Sequence, residues 1–300
     1  MTENEFMLQD RIAKIKSINK QYDLENNAYV SFSGGKDSTI LHYLLDLALP
    51  GNKIPRLFLN TGIEYIYIFN FVKELAKKDD RIKILNVGKN IKETLKKVGY
   101  PFKSKEHSQK VYEYRKGYRN KSTLRYFRKI EGGFQPCPNK LLYQINDNFQ
   151  LKISHLCCFE FKKKPAHQWS VENKRPVVIT GMKREEGNAR KNLNCILTNS
   201  NGELKKFHPL AVVNKEFENW FIESRNIKLC ELYYPPFNFE RTGCKGCPFA
   251  LNLQEQLMVM ENLLPAERKQ CEMIWKPIYD EYRRIGYRLE KEDEFKLFNI

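Results

Sequence analysis

The sequence has no long uninterrupted apolar run, because charged residues break every apolar segment after a short stretch. A helix that spans a bilayer needs about 20 apolar residues, so we expect no membrane span. The first residues, MTENEF, are polar and acidic, which is not typical of a secretory signal. The chain also lacks an internal repeat and a low-complexity linker. These absences predict a globular, cytoplasmic chain whose 300 residues form one large domain or two modest ones.

Acidic residues are scarce relative to basic ones. The chain has 52 Lys and Arg against 36 Asp and Glu, a net charge of +16, which predicts an anionic partner such as a nucleotide, a nucleic acid or an acidic lipid. Residues 101–130 hold ten basic side chains against two acidic ones and so carry +8 of this charge. Six aromatics lie among them: Phe102, Tyr112, Tyr114, Tyr118, Tyr126 and Phe127. The segment is either a nucleic-acid surface, with aromatics that stack on bases, or a solvated helical pair whose tyrosines pack inward.

Strand-like and helix-like segments alternate along much of the chain. Strand-like runs cover residues 27–32, 55–60, 81–87, 175–180 and 193–198, and helical patterns cover 5–19, 38–49, 64–78 and 90–98. This alternation predicts an α/β fold with a Rossmann-like, mostly parallel sheet and helices on both faces. Ligands of such sheets bind at the carboxyl ends of the strands. We therefore expect the turns at 33–38, 60–62 and 181–184 to converge on one site.

The sharpest motif is SFSGGKDST, residues 31–39, between a strand and a helix. Gly34 and Gly35 allow a tight turn close to a ligand, the following helix presents free N–H groups to an anion, and Lys36 adds a positive charge. Hydroxyl groups come from Ser33, Ser38 and Thr39. The run is not a Walker A loop, because Val30 stands in place of its first glycine and an aspartate follows the lysine. It predicts a phosphate-binding loop of another kind.

On this string the sequence resembles the PP-loop (adenine nucleotide alpha-hydrolase) superfamily, whose signature is SGGxDS. The resemblance implies that ATP binds at the loop and is cleaved between its alpha and beta phosphates, with Mg²⁺ as cofactor. It implies that the phosphates are held by Gly34, Gly35, Lys36 and Ser38, while Asp37 organises Mg²⁺ or the loop. Such catalysis is mostly positioning and charge neutralisation, so Lys36 and Asp37 are predicted to be catalytic.

Two further blocks resemble the phosphoadenosine phosphosulfate (PAPS) and adenosine phosphosulfate (APS) reductase family. The first, residues 56–72, is similar to the family's strand, Asp-Thr-Gly turn and aromatic helix, with asparagine in place of the aspartate. The resemblance places adenine near residues 58–62, so the predicted nucleotide site includes Asn60, Thr61 and Gly62.

The second block, VVITGMKREEGNARK at residues 177–191, resembles the family's TGxRxxES…R block. Lys183 stands where the family often has its first arginine, and Gly187 replaces the serine. The resemblance assigns nucleotide binding to Gly181, Arg184, Glu185 and Arg190, with Arg184 also catalytic. The alternative is a charged surface loop. Together with a Pro-Leu block and the amphipathic helix after it, the matches extend over about residues 27–250.

Four of the eight cysteines form a separate pattern: Cys157, Cys158, Cys244 and Cys247. A CxxC followed by proline can be half of a zinc site, a redox pair or part of an iron–sulfur site. Adjacent cysteines in extended backbone point apart, which suits a cluster of several irons better than one tetrahedral zinc. The pattern resembles the site of the 4Fe-4S cluster in APS reductases. This implies such a cluster, with zinc or unliganded core thiols as alternatives.

Two departures from the reductases bear on the reaction. Those enzymes usually have a degraded loop, whereas Lys36 and Asp37 are intact here. They also use a C-terminal cysteine as nucleophile, whereas Cys271 lies in a helical pattern without the surrounding residues of the reductases. The resemblance therefore implies an ATP pyrophosphatase that activates an acceptor by adenylation for sulfur transfer. A reductase that forms sulfite, and a non-catalytic binding module or regulator that keeps the loop, stay as alternatives.

The resemblance also bears on partners and domains. It implies DNA or tRNA as the acceptor, bound through residues 101–130, and it is compatible with a sulfur-donor protein and a dimer. We expect a nucleotide-binding domain over residues 1–235, with a basic helical insertion at about 100–150. A C-terminal segment, 236–300, would carry the CxxC and helices and pack on that domain.

Overall fold

The computed structural model of the protein describes residues 1–133, 135–185 and 191–291. Its contacts divide the chain into two units, each made of two separate stretches of sequence. The first unit consists of residues 1–87 and 164–243, and the second of residues 88–163 and 244–300. The domain division at residue 235 stays a prediction. Among the described residues, no helix is long and apolar enough to cross a membrane.

Helices and strands follow the alternation that the sequence predicts. In chain order the strands are β1 (Ala28–Ser31), β2 (Arg56–Asn60), β3 (Ile82–Asn86), β4 (Val177–Ile179), β5 (Ile196–Thr198) and β6 (Leu204–Phe207). The helices are α1 (Glu3–Tyr22), α2 (Leu24–Asn27), α3 (Lys36–Ala48), α4 (Ile66–Lys78), α5 (Ile91–Val98), α6 (Lys105–Arg115), α7 (Lys121–Tyr126), α8 (Lys164–Glu172), α9 (Lys215–Ser224), α10 (Leu253–Leu263) and α11 (Pro265–Ile285). Shorter turns of 3-10 and π-helix cover Asn139–Ile145, Phe159–Lys163 and Glu231–Tyr233.

The first unit is built on a sheet whose described strands lie in the order β3-β2-β1-β4-β6-β5. Every neighbouring pair is parallel except β5 with β6. This confirms the predicted Rossmann-like, mostly parallel α/β fold. The sequence did not predict β6, because its residues, LKKF, include two lysines and lack a clear strand pattern.

Helices cover both faces of this sheet. Ala28 and Val30 point into a core shared with α1, α3 and α9. Side chains alternate along a strand, so Tyr29 points to the opposite face, where its ring meets Trp169 of α8 edge to face at 5.4 Å. The middle strand is therefore buried on both sides, as is typical of parallel sheets.

The loop that follows β1 leads directly into α3, which begins at Lys36 with Gly35 as its N-cap. The first amides of α3 therefore lie at the carboxyl end of the central strand. Strand β1 lies between β2 and β4, and its Val30 pairs with Ile179 of β4. Gly181 lies shortly after the end of β4. The sheet thus brings two of the predicted site segments to the same edge.

The second unit contains α5, α6, α7, α10 and α11 and is described here by itself. Phe102 packs edge to face on Tyr282 of α11, with ring centres 4.5 Å apart. The hydroxyl of Tyr282 accepts a 2.7 Å hydrogen bond from the backbone N–H of Lys103. Much of this unit's core is therefore aromatic, including side chains from the basic segment.

Candidate functional site

The phosphate loop depends on a glycine with a left-handed backbone. Gly34 has φ +70°, and a Cβ there would lie 2.6 Å from Val72 Cγ2 and 3.1 Å from Ile68 Cγ2, both on α4. At Gly35, a Cβ would lie 3.1 Å from the hydroxyl of Tyr233. These close approaches explain why both positions are glycine.

The loop's hydroxyl groups are mostly used to hold its own backbone. Ser38 and Thr39 are buried, and both donate to the carbonyl of Gly35, at 2.9 and 3.0 Å. Ser38 Oγ also accepts from the N–H of Ser33 at 3.2 Å, whereas Ser33 is exposed and lines the cleft described below. Of these three predicted groups, Ser33 is placed to meet a ligand, while the other two shape the loop.

Four charged side chains meet at the start of α3. Lys183 Nζ lies 2.6 Å from Glu218 Oε1 and 3.3 Å from Asp37 Oδ1, and Lys36 Nζ lies 3.8 Å from Glu218 Oε2. Glu218 and Lys183 are buried. Burial raises the pKa of the Glu218 carboxyl and Asp37 adds to this effect, while Lys183 and Lys36 oppose it.

These charges border a cleft of about 430 Å³ within the first unit. Its charged lining residues are Lys36, Asp37, Lys183, Glu185, Lys215, Glu218, Glu240 and Arg241. Four are cations and four are carboxylates, so the lining can hold both phosphate oxygens and a divalent cation. Carboxylate oxygens are the ligands that Mg²⁺ prefers, and Asp37, Glu185 and Glu240 offer them at this cleft, although the three do not converge within 4.8 Å of one another.

Sequence reasoning missed several cleft residues. Glu218 carried one signal, since it lies between Phe217 and Phe221, the buried positions of α9. The hydroxyl of Tyr233 accepts a 2.9 Å hydrogen bond from the N–H of Lys36 and lies 2.6 Å from Thr242 Oγ1. No local pattern marks this tyrosine–threonine pair, because its importance arises from a contact across almost two hundred residues.

The predicted residues after β2 lie at its carboxyl end, beside the loop but outside the lining of the cleft. Asn60 donates from Nδ2 to Asn86 Oδ1 at 2.8 Å, at the end of β3. Thr61 is buried and hydrogen-bonded to the Glu64 carboxylate, with its N–H at 2.9 Å from Oε2. Gly62 is exposed, with φ +80°. Asn60 and Gly62 are therefore the accessible members of this set.

The segment after β4 divides into residues near the loop and residues away from it. A Cβ on Gly181 would lie 2.9 Å from the carbonyl oxygen of Asp37, so this glycine allows close packing against the start of α3. Glu185 lines the cleft. Arg184 is exposed and donates from Nε to the carbonyl of Leu193 at 2.7 Å, and it does not line the cleft. Arg190 lies outside the described residues.

The four predicted metal ligands belong to the second unit. Cys157 and Cys158 begin a helical segment, so the expected extended backbone is wrong at this point. Adjacent helical residues are about 100° apart around the axis, yet the two thiols lie close enough to hydrogen-bond to each other. Hydrogen bonding to Cys157 lowers the pKa of Cys158 to about 6, assisted by Lys162 and other lysines.

The other pair sits on a turn that α11 holds in place. Cys247 donates its N–H to the carbonyl of Cys244 at 3.2 Å. Trp275 Nε1 donates to the carbonyl of Lys245 at 3.0 Å, and the hydroxyl of Tyr282 donates to the carbonyl of Pro248 at 2.8 Å. Aromatic donors of one helix therefore fix the backbone within the CxxC and directly after it.

The thiols of the two cysteine pairs shift one another's pKa values. Hydrogen bonding to Cys158 and burial raise the pKa of Cys157, and Cys244 and Cys247 add to the effect. Burial raises the pKa of Cys247 to about 12, with further contributions from Cys244 and Cys158. The fold thus gathers four thiols that act on one another's ionisation, a donor set that suits a metal centre.

Cys271 is fully buried in α11 and packs against the CxxC turn. A Cβ on Gly246 would lie 2.7 Å from its Sγ. Burial raises the pKa of Cys271 to about 12. The thiol is therefore protonated and inaccessible, in agreement with its interpretation as a packing residue.

The sequence left two interpretations of the basic segment 101–130, a nucleic-acid surface and a helical pair whose tyrosines pack inward. The segment has features of both. Eight of its ten basic side chains are exposed, and so is Tyr118. Phe102, Tyr126 and Phe127 are buried, so these three rings pack inward and cannot stack on bases. Arg119 lies over the ring of Tyr114, 4.0 Å from its centre.

A parallel α/β sheet whose SGGKDS loop opens on a cleft of lysines and carboxylates defines a nucleotide-binding protein of the PP-loop type. The chain matches the family model of the phosphoadenosine phosphosulfate reductase domain over residues 27–133 and 137–250, and it belongs to this family. The family's members are nucleotide-binding enzymes.

An uncharacterised protein of Methanocaldococcus jannaschii is 32% identical to this chain over 155 residues, which are 47% of this chain and 36% of that protein. The chain thus spans about a third of the length of this curated relative.

Solved structures with similar folds share little sequence with the chain. The PAPS reductase of Candida auris, in a phosphate complex, is 14% identical, with 77% of this chain and 87% of that chain covered and a TM-score of 0.44. The U34-tRNA thiolase NcsA of Methanococcus maripaludis, with its 4Fe-4S cluster, is 16% identical, with coverages of 96% and 82% and a TM-score of 0.42.

Proposed function

We propose that this protein is an ATP pyrophosphatase that cleaves ATP between its alpha and beta phosphates and adenylates an acceptor for sulfur transfer. The observation that carries the proposal is the intact loop, with Lys36 and Asp37 at the edge of a cleft where Lys183 and Glu218 complete the set of charges. A nucleotide sulfate has no pyrophosphate to release. An intact loop therefore favours a substrate with a polyphosphate end.

In this proposal the chain binds and orients the polyphosphate. The N-terminal turn of α3, whose first N–H is held by Tyr233, and the turn at Gly34 face the anion, and Lys36 neutralises the charge on the leaving pyrophosphate. One or two of the carboxylates Asp37, Glu185 and Glu240 would hold Mg²⁺ together with the phosphates, and the bound ion would supply positive charge to the phosphate oxygens. The chain needs no nucleophile of its own, because the acceptor attacks the alpha phosphate.

The runner-up, a reductase that forms sulfite, needs an accessible cysteine nucleophile beyond the CxxC. Cys271 occupies the relevant part of the sequence, but it is fully buried and its thiol pKa is raised to about 12 by burial. A thiol attacks as the thiolate, so this cysteine is poorly suited to the task. The burial of Cys271 therefore supports the pyrophosphatase.

We further propose that the second unit holds a 4Fe-4S cluster on Cys157, Cys158, Cys244 and Cys247. Among the described residues, one group of three ligand atoms lies within 4.8 Å of one another, and it contains no cysteine. Sulfurs around one tetrahedral zinc lie about 3.8 Å apart, as Zn–S bonds of about 2.3 Å require. No three of the four thiols therefore lie as close together as a single tetrahedral zinc requires, which favours a larger centre over one zinc ion.

The acceptor that we propose is a nucleic acid. Eight exposed basic side chains and the exposed ring of Tyr118 in residues 101–130 support this choice. Basic residues neutralise phosphates without regard to sequence, and an exposed tyrosine can stack on an unpaired base.

One experiment tests the reaction and the cluster on the same sample. Anaerobically purified protein is incubated with Mg²⁺ and ATP, APS or PAPS, with and without tRNA or DNA, and its iron and acid-labile sulfide are measured. We expect AMP and pyrophosphate from ATP, no sulfite from APS or PAPS, and iron that is lost in Cys244→Ser.

Matched variants sharpen this test. Lys36→Ala should reduce AMP formation by about 10²-fold or more, whereas Lys16→Ala, on the exposed side of α1, should leave it unchanged. Sulfite without AMP from ATP would favour the reductase, and tightly bound zinc without iron would refute the cluster.

A further inference from the structure

Glu218 is a fully buried carboxylate that no motif predicted. It follows Phe217 on α9, and Phe217 and Phe221 anchor the helix in the core. Removal of a carboxylate from water is costly unless cations offset the loss. Beyond its two lysine contacts, neither oxygen of Glu218 has a hydrogen-bond partner among the described residues. The side chain is therefore held by charge rather than by a network of hydrogen bonds.

The two lysines contact Glu218 unequally. Lys183 Nζ is 2.6 Å from one oxygen, and it also lies 3.3 Å from Asp37 Oδ1. Lys36 Nζ is 3.8 Å from the other oxygen, and its side chain is 21% exposed on the cleft. Lys183 is thus fixed between two carboxylates, whereas Lys36 is loosely held and free to turn towards a ligand.

When all of its charged lining residues are counted, the cleft has almost no net charge. Glu185, Lys215, Glu240 and Arg241 line it together with the four residues of the cluster, so cations and carboxylates balance. A polyphosphate therefore finds no large surplus of positive charge. Lys36 can give its full charge to a bound phosphate only if it exchanges Glu218 for a phosphate oxygen.

We propose that Glu218 is a positioning residue that holds Lys36 until phosphate binds and shares Lys183 with Asp37, so that Lys183 does not fully neutralise the Asp37 carboxylate. Lys36 exchanges Glu218 for a phosphate oxygen, while Lys183 stays between Glu218 and Asp37. The Asp37 carboxylate then shares Lys183 with Glu218 and remains available to a cation. The proposal rests on the proposed function in taking the anion to be the pyrophosphate end of ATP.

Removal of the Glu218 charge has two opposite consequences. Lys36 loses the carboxylate that competes with phosphate, so the affinity for a bare anion rises. Lys183 keeps Asp37 as its remaining partner and draws this carboxylate away from Mg²⁺. A residue that only supported the fold would not strengthen anion binding while weakening the response to Mg²⁺.

Calorimetric titration of the full chain with inorganic pyrophosphate, in EDTA, tests the first consequence. We expect Glu218→Gln to bind pyrophosphate about tenfold more tightly than the unmodified protein, as loss of one nearby negative charge predicts. Glu216→Gln, an exposed position on the same helix, is the matched control and should bind as before. Equal or weaker binding by Glu218→Gln would overturn the exchange.

The Mg²⁺ dependence of AMP formation tests the second consequence. The concentration for half-maximal activity should rise about tenfold in Glu218→Gln. If thermal melting shows that this variant does not fold, Glu218→Asp replaces it. That variant keeps a negative charge near Lys36, so pyrophosphate should bind as in the unmodified protein. Its shorter side chain loses the 2.6 Å contact with Lys183, so the Mg²⁺ requirement should still rise.

The two proposals can fail separately. An unchanged Mg²⁺ requirement in these variants refutes the positioning role. If the unmodified protein forms no AMP, the proposed function fails, and the pyrophosphate titration still decides whether Glu218 competes for Lys36.

Discussion

Single buried residues set much of this protein's electrostatics. His107 is fully buried, with Nδ1 2.8 Å from the hydroxyl of Tyr126 and Nε2 2.7 Å from Gln144 Oε1. A neutral ring satisfies both contacts, with the tyrosine donating to Nδ1 and Nε2–H donating to the amide oxygen. Burial lowers the pKa of His107 to about 4. The ring therefore stays neutral in the folded protein at pH values where an unfolded chain would bind a proton.

This shift predicts an acid-dependent loss of stability. Because the folded pKa of about 4 lies below the ordinary value of 6.5, the contribution of His107 is complete above pH 6.5 and is lost as the pH falls towards 4. Between pH 7 and pH 5 the loss should be about 2 kcal/mol in the free energy of unfolding. Urea unfolding at both pH values measures it.

Two variants isolate this histidine. His107→Gln should reduce the difference between the two pH values, whereas His167→Gln, an exposed position, should not. An equal pH dependence in both variants would contradict the assignment. His42, whose pKa burial also lowers to about 4, should account for part of the remaining dependence.

At the level of elements, the candidate site depends on a turn whose left-handed backbone favours glycine. Gly34 and Gly51 have nearly the same positive φ, +70° and +73°. A Cβ on Gly51 would meet nothing within 4 Å, whereas one on Gly34 would lie 2.6 Å from a methyl group of α4. A side chain at Gly51 would therefore introduce backbone strain alone, whereas one at Gly34 would add steric overlap with α4.

We expect Gly51→Ala to cost about 1 kcal/mol in the free energy of unfolding, from the backbone alone. Gly34→Ala should cost about 2 kcal/mol or more, because overpacking against α4 adds to that strain. It should also abolish pyrophosphate binding, since the loop must move to relieve the overlap. Urea unfolding and calorimetry check both results, and equal effects of the two substitutions would exclude the role of α4.

At the scale of the whole molecule, the +16 charge divides between roles. The cleft uses four cations but balances them with four carboxylates, so it contributes little to the excess. The exposed basic residues of 101–130 carry half of the net charge in a tenth of the chain. The excess therefore points to a second anionic ligand, separate from the nucleotide.

Salt dependence tests this view directly. The triple variant Lys116→Gln, Lys121→Gln, Lys129→Gln should lower the slope of log affinity for tRNA against log salt by about 2. The matched triple variant Lys16→Gln, Lys20→Gln, Lys53→Gln removes three exposed charges from the first unit and should leave the slope unchanged. Equal changes in both would indicate non-specific attraction to the net charge.

The sequence by itself determined what local patterns encode. Alternating strand and helix periods gave the mostly parallel sheet, because burial on both faces imposes those periods. The loop SGGKDS marked the proposed phosphate site, because its glycines and lysine act through nearby backbone. The helical pattern around Cys271 indicated a packing residue in the same way.

Only the tertiary structure decided which distant groups meet. Glu218 joined the site because α9 packs beside α3, and Tyr233 reached Lys36 across the fold. Burial separated the inward rings of the basic segment from its exposed ones. A hydrogen bond to the carbonyl of Leu193 holds Arg184, which does not line the cleft. The physical reason is that burial and ion pairing depend on packing between sequence-distant elements, about which local periodicity carries no information.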